Sequence, residues 1–403
     1  MPVTHYTYRF RLYPTKAQEN LLARHFGACR FVYNHFLARR MKMYEETGKG
    51  SSYAEDCREL TKLRKELVWL SEVSVNSLQQ SLMNLDAAFK RFFKKISNRP
   101  KFHSKHSGKN AYREPSSAAS IVRIQDGRLL IAKFREGIKI CQHRSIEGKI
   151  KRASVSRNKA GQYYVAILTD RNIDSLPTTD HEVGIDLGLK TLATLSDGKT
   201  FENIRPYQNL ERRLKRLNRE LCRRVKGSKS REKTRKKFAR LHQRIVDIRK
   251  DYLHKISHQI TSENQAIYLE DLNVEGMKAN RSLARSVYDV SFAELVRQLE
   301  YKAKWRGRTF IKVSRFFPSS KTCSCCGFVH KGLTMKERTW VCEKCNTTHE
   351  RDLNAATNIL NEGKRTVRTT GIAGGERQKT SARKQHSEKP ETVITLQAKA
   401  SEE

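Results

Sequence analysis

Val183-Gly184-Ile185-Asp186-Leu187-Gly188 is a short run of apolar and small residues interrupted by one carboxylate. Its length and its glycine boundaries read as a buried β-strand. The acid inside it is the anomaly, because an unpaired carboxylate among apolar neighbours is costly. Just downstream, residues 190–196, the Asp197-Gly198 pair and residues 199–202 read as strand, turn and strand. Two helical stretches follow, 208–225 and 230–259. Their apolar seams are Leu210, Leu214, Leu217 and Leu221, then Phe238, Leu241, Ile245, Ile248, Ile256 and Ile260, which predicts that the two helices pack on each other. Residues 266–270 form a second short strand that also ends in a carboxylate, Glu270. A helix over 289–305 and a strand over 309–313 complete the set.

Three hairpin-linked strands, helices, a strand, a helix and a strand follow the order of a ribonuclease-H-like α/β core. Upstream of it the texture differs. Residues 5–13 alternate polar and apolar like a strand, and Pro14-Thr15 with Gln18 gives a capping-box start to a long helix ending near Thr47-Gly48. Further helices are expected over 53–70 and 75–96, the latter with Leu78, Leu82, Leu85, Phe89 and Phe92 at helical spacing. Gln79 and Gln80 lie on its other faces, either solvated or facing a nucleic-acid groove. The basic, Pro-broken segment 98–106 is a linker or a nucleic-acid strap. Between residues 120 and 170, short β-rich runs at 121–124, 129–132, 137–140, 153–156 and 163–169 suggest a small barrel that the strand at 5–13 joins.

The expected class is therefore α+β and multidomain. A barrel domain takes 1–14 and 98–180, a helical insertion 15–97, an α/β domain 181–318 and 347–362, and a disordered basic tail 363–403.

Lys and Arg number 81 against 42 Asp and Glu, a formal net charge of +39, so a polyanion is the default partner. Charge alone does not separate an enzyme from a structural ribosomal or chromatin-like protein. No run is apolar enough to cross a bilayer and the first residues show no signal-peptide pattern, which predicts an intracellular protein with no membrane partner. The dense Arg and Lys on the 208–225 and 230–259 helices, including Arg223, Arg224, Lys236 and Lys237, predict a phosphate-facing surface.

Of nine cysteines, Cys29, Cys57, Cys141 and Cys222 are scattered and five crowd between 323 and 345. Cys323-x-x-Cys326 and Cys342-x-x-Cys345 have the spacing of two knuckles that close four thiolates on one structural Zn²⁺, in a ribbon over 319–346; Cys325 is the spare. Phosphodiester hydrolysis needs an activated water and charge neutralisation, which two Mg²⁺ ions supply when carboxylates converge on them, with Mn²⁺ a substitute. Asp186, Glu270 and Asp352 are the candidates: two strand-end acids and one acid expected as the N-cap of a helix over 353–360.

Gly184-Ile185-Asp186-Leu187-Gly188-Leu189-Lys190, Leu269-Glu270-Asp271-Leu272-Asn273-Val274, Ser319-Ser320-Lys321-Thr322-Cys323-Ser324 and Arg351-Asp352-Leu353-Asn354-Ala355-Ala356 resemble, in order, the motifs of the transposon-encoded TnpB proteins, relatives of the type V CRISPR effectors. The resemblance is specific over residues 183–360 and looser before. It implies a RuvC-like nuclease whose catalytic acids are Asp186, Glu270 and Asp352 and whose zinc ligands are Cys323, Cys326, Cys342 and Cys345. It also implies a barrel-like wedge domain, a helical recognition insert, a guide RNA from the transposon end and a double-stranded DNA target cut beside a short adjacent motif. Glu350 stands where many members carry Asp. Two rivals share the scaffold: a catalytically silent RNA-guided DNA-binding regulator, expected to lack an acid, and a metal-dependent transposase, for which the sequence offers no obvious helix-turn-helix module. Oligomeric state is left open.

Overall fold

The computed structural model describes residues 4–105, 110–116, 122–334 and 337–370. β1 (Thr4–Tyr13) buries Tyr8, Phe10 and Leu12 at alternate positions, the period of a strand with one face in a core. α1 (Lys16–Thr47) begins at a reciprocal capping box between Thr15 and Gln18 and ends at Gly48, whose φ of 67° is left-handed. α2 (Tyr53–Glu66) starts from a second box, Ser52 with Glu55. The helix expected to run to residue 70 instead tightens into a 3-10 turn over Val68–Glu72. α3 (Val75–Phe93) buries Leu78, Leu82 and Leu85 as its spacing requires. The first two helices are tied by a buried ion pair: Arg40 Nε donates to Asp56 Oδ2 at 2.7 Å and Ser51 Oγ to Oδ1 at 2.7 Å. Those added hydrogen bonds are what make a fully buried carboxylate tolerable.

The chain then returns to the sheet that β1 began, with β2 (Asn110–Pro115), β3 (Arg123–Gln125), β4 (Arg128–Ile131), β5 (Phe134–Cys141), β6 (Lys149–Arg157) and β7 (Tyr163–Arg171). The order is β2-β6-β7-β1-β5-β4-β3, antiparallel throughout, and β1 runs from Thr4 opposite Arg171 to Leu12 opposite Tyr163. The helices are thus an insertion between β1 and its partners, as read from the sequence. The expected barrel differs in two ways. β2 was not foreseen, its sequence being polar and ending in Pro115, which lacks an N–H to donate and is tolerated on an edge. Among the described residues no ladder joins β2 to β3, so the pairing is that of an open sheet. Residue 121 and the end of the 98–106 connector fall outside the described residues.

The second sheet contains β8 (Glu182–Leu187), β9 (Thr191–Leu195) and β10 (Thr200–Glu202) as hairpins. α4 (Pro206–Arg223) and α5 (Lys229–Glu263) then lead to β11 (Ala266–Glu270). α6 (Val274–Ala279), α7 (Arg281–Val290) and α8 (Phe292–Trp305) precede β12 (Thr309–Val313), followed by the small hairpin β13 (Thr339–Val341) and β14 (Thr348–Glu350) and finally α9 (Arg351–Thr370). The order is β10-β9-β8-β11-β12, with β8, β11 and β12 parallel. Leu214 and Leu217 pack on Leu241 and Ile245, joining α4 to α5 as expected, whereas Ile248 is exposed and Ile256 and Ile260 turn to the sheet.

One helix was expected over 289–305; the structure has a break at Ser291, φ 60°, with α6 and α7 before it. Asp289 lies two residues before that break. Its carboxylate accepts from the backbone N–H groups of Tyr207 and Gln208, at 3.0 to 3.2 Å, and so caps α4 from outside its own chain segment. The predicted tail is also corrected, because α9 continues to Thr370 and its Leu360 and Val367 pack with Ile311 and Phe317. Residues 371–403 lie outside the described residues.

Side chains of the second sheet divide by period two. Val183, Ile185, Ile267 and Leu269 face α5 and α8, while Ala266, Tyr268 and Val313 pack with Ile359 of α9. α9 lies so close to β8 that a Cβ on Gly184 would sit 2.1 Å from the Ala356 carbonyl oxygen. Glycine is required there for contact, not for backbone angle.

Candidate active site

The alternation that buries the second sheet also aims its acids. Asp186 shares a face with Gly184, and Glu270 with Ala266 and Tyr268, so both carboxylates point to the side covered by α9. The parallel register sets Leu269 opposite Ile185, which puts Glu270 and Asp186 side by side at the C-terminal ends of adjacent strands. Asp352 lies in the first turn of α9 itself, inside the helix and not at its N-cap as expected. One end of one sheet face thus receives all three, the crevice where open α/β sheets place their chemistry.

Asp186 is half-buried, and among the described residues no hydrogen bond or ion pair reaches its carboxylate. Burial first, then the charges of Asp352 and Glu270, push its pKa up to about 7, opposed by Arg351 and Arg338. Burial likewise raises Glu270, against a hydrogen bond from Ser319 and with the Asp271 charge adding to the rise. Asp352 is differently placed: Arg338 Nη1 donates to its two oxygens at 3.2 and 2.9 Å, and Arg351 to Oδ1 at 3.1 and 2.9 Å. The three carboxylates do not converge within 4.8 Å of one another. The site therefore holds two acids side by side, neither of them in an ion pair among the described residues, and a third turned toward two guanidiniums. Hard oxygen donors with excess negative charge suit a divalent cation of the Mg²⁺ class.

The raised acid has a stability consequence. Its folded pKa lies above the ordinary 3.8, so the ionised form destabilises the metal-free fold, and the loss grows as pH climbs from about 4 to about 7. Asp186→Asn is expected to raise the melting temperature of chelator-treated protein by about 5 °C at pH 8, with the gain vanishing near pH 4. Melting curves across that range decide it, and equal melting temperatures at pH 8 would refute the electrostatic account.

The four thiols sit below the same end of α9. Cys323 and Cys342 are buried, Cys326 half-buried and Cys345 exposed, and the four sulfurs lie within 4.8 Å of one another. Sγ–Sγ separations of 3.6 Å for Cys323–Cys345 and for Cys326–Cys342 approach the edge of about 3.8 Å that tetrahedral Zn–S bonds of about 2.3 Å require. The donor set fits zinc. Cys325 is exposed as expected of the spare, although with Cys323 and His349 it forms a second close set, and His349 Nε2 lies 3.0 Å from Cys323 Sγ.

Several residues were missed by sequence reasoning. Asn354 Nδ2 donates to the Thr322 carbonyl at 2.7 Å and its Oδ1 accepts from Ser324 N–H, while Asn358 Nδ2 reaches the Ser319 and Thr322 carbonyls at 2.8 and 2.6 Å. These two buried amides bolt the first cysteine knuckle to the helix that bears Asp352. Their i, i+4 spacing was the available signal. Arg338 and Ser319 carried none, since their partners are distant in sequence. Of the basic candidates, Arg223 and Arg224 line a shallow cleft of about 470 Å³ with Arg216, Arg219 and Glu220, where Arg224 pairs with Glu220. Lys236 is half-buried and Lys237 exposed on α5. Gln79 and Gln80 are half-buried on α3, and the structure brings neither to the acids.

A family described as a probable transposase matches residues 164–281, one described as a Cas12f1-like TNB domain matches 292–359, and one described as a helix-turn-helix domain matches 1–49. That last match falls on β1 and α1 and overturns the expectation that the sequence offers no helix-turn-helix module. A Streptomyces pristinaespiralis protein whose name describes an RNA-guided DNA endonuclease is 39% identical over 88% of this chain and 89% of its own length. The chain belongs to the TnpB family. A second relative with that description, InsQ of Escherichia coli (strain K12), is 33% identical over 88% of this TnpB chain and 92% of its own. The fold is also that of the protein in a Cas12f1–sgRNA–target DNA complex, with a TM-score of 0.56 at 15% identity, covering 89% of this chain and 99% of that one. No helix among the described residues of this TnpB protein is long and apolar enough to cross a membrane.

Proposed function

We propose that the protein is an RNA-guided DNA endonuclease that hydrolyses phosphodiesters at Asp186, Glu270 and Asp352 on a RuvC-like core. The observation that carries this reading is the convergence of the three acids on one face: two at adjacent parallel strand ends and one on the helix packed over them. The strand order β10-β9-β8-β11-β12 supports a ribonuclease-H-like core, and the antiparallel sheet interrupted by α1 to α3 supports a wedge with a recognition insert. We assign the wedge to 1–14 and 98–180, the insert to 15–97, the nuclease to 181–318 and 347–362 and the ribbon to 319–346. Divalent Mg²⁺ or Mn²⁺, when bound by the acids, supplies charge neutralisation at the phosphate and an acidic bound water.

The chain's own residues do the rest. Asp186 and Glu270 stand desolvated and outside any ion pair among the described residues, and Asp352 is kept in reserve by Arg338 and Arg351 until a cation competes for it. Freed from Asp352, the same two guanidiniums are placed to meet a phosphate beside the acids. The net charge of +39 holds the guide RNA, which we place as a product of the transposon end, and the target duplex.

Protein purified with its own RNA should yield one defined RNA species and cut a plasmid bearing the matching target and adjacent motif in Mg²⁺. Absence of a defined RNA, or target binding without cutting, would replace the nuclease by a binding protein. Reversing charge at Arg223, Arg224, Lys236 and Lys237 to Glu should weaken nucleic-acid binding and flatten its salt dependence by about 0.7 to 0.9 log units per lost phosphate contact. An unchanged slope in a titration across salt concentrations would mark that face as merely solvated.

A further inference from the structure

Phe316 is 87% exposed, the most exposed of the large apolar side chains among the described residues. It is not on a loose loop. Three residues earlier β12 ends at Val313, whose parallel partner is the catalytic Glu270. On one side of Phe316, Arg315 forms an ion pair with Asp271, the residue after that acid, and the Ser314 hydroxyl accepts from the Phe316 N–H at 3.3 Å. On the other side Phe317 packs beneath α9 and the buried Ser319 bonds to Glu270. The turn is thus pinned at both ends to the strand that carries the acid, and the ring between the pins is held out into solvent beside the site.

We propose that Phe316 is the stacking platform for an unpaired base of the DNA strand being cut, holding that strand beside the acids. This rests on the nuclease reading and adds to it a binding residue outside the acids. An aromatic face is indifferent to base identity, so it positions without competing with the guide for sequence, and Arg315 beside it is a cation for the adjoining phosphate. An unburied ring has no packing role to fill, and the turn that carries it is fixed at both ends, so little backbone ordering falls on binding.

The test uses the RNA-loaded protein and a target whose cut strand is pre-opened, with a single abasic position scanned across the cleavage site. Phe316→Ala is expected to raise KM about tenfold with kcat nearly unchanged, the loss of one stacked base, and Phe316→Trp to restore it. One abasic position should raise the parent's KM by a similar factor and leave that of Phe316→Ala unmoved, a coupling that a structural role does not produce. Equal KM for parent and Phe316→Ala, or abasic effects that add in full to the substitution, overturns the proposal while the nuclease reading stands. A parent that cuts no target overturns both.

Discussion

Asp186→Ala, Glu270→Ala and Asp352→Ala are each expected to lower DNA cleavage by more than about 10³-fold while target binding stays within about twofold of the parent. On the proposed mechanism the acids act as a unit, so a site with two of them has no partial chemistry to fall back on, and the basic surfaces proposed to hold RNA and DNA are elsewhere. The three variants should differ in one respect. Removing Asp186 takes away the acid whose ionisation is most opposed by its surroundings, and so should not harm the fold. Removing Asp352 strands two guanidiniums that now share its oxygens. Binding of Mn²⁺ to each variant, measured without substrate, gives an independent reading: affinity should collapse in all three. Ca²⁺ should support binding of the target with little or no cutting. Any single variant that cuts at the parental rate removes that acid from the site.

Cys342→Ser should release zinc and abolish cleavage for another reason. Structural zinc sites contribute folding energy outright. Cys342, in the second knuckle, is fully buried, and without the metal the loop that offers the Ser319 and Thr322 carbonyls to Asn354 and Asn358 should lose its shape. α9 then loses its anchor at the end that bears Asp352, and the ribbon strand carrying Arg338 is freed with it. The variant should show protease nicking between 319 and 350 and a fall of several kcal/mol in stability, where the Asp186 variant shows neither. Metal analysis that finds no zinc in folded, active protein would falsify the assignment.

Much of this was legible in the chain. The 183–188 strand, the Thr15 capping box and the cysteine spacing are local signals, each fixed by a few neighbouring residues, and each appears in the structure where it was read. The two strand-end acids were legible because a carboxylate inside an apolar strand is anomalous by itself. What was not legible depends on partners far off in sequence. Asp289 reads as a helix residue and is the cap of α4; β2 reads as polar loop and becomes an edge strand; Gly363 reads as the start of a tail and lies against Tyr268. The orientation of Asp352 belongs to the same class, since Arg338 reaches it from a hairpin that only zinc chemistry predicts.

The placement of β1 has a consequence for how the protein is made. β1 is synthesised before either of its neighbours, yet it sits between β7 and β5 and pairs from Thr4 to Leu12 with residues 163–171. At about 5–20 residues per second, those partners emerge roughly 10–30 s after β1 does. Until β5 emerges β1 has neither neighbour, and β5 then pairs only with Arg11 to Tyr13, so Tyr8 and Phe10 wait for β7 while α1 to α3, whose contacts are local, are free to assemble. A strand made before its neighbours thus waits for both of them, and the helical insert is free to reach order before the sheet from which it springs.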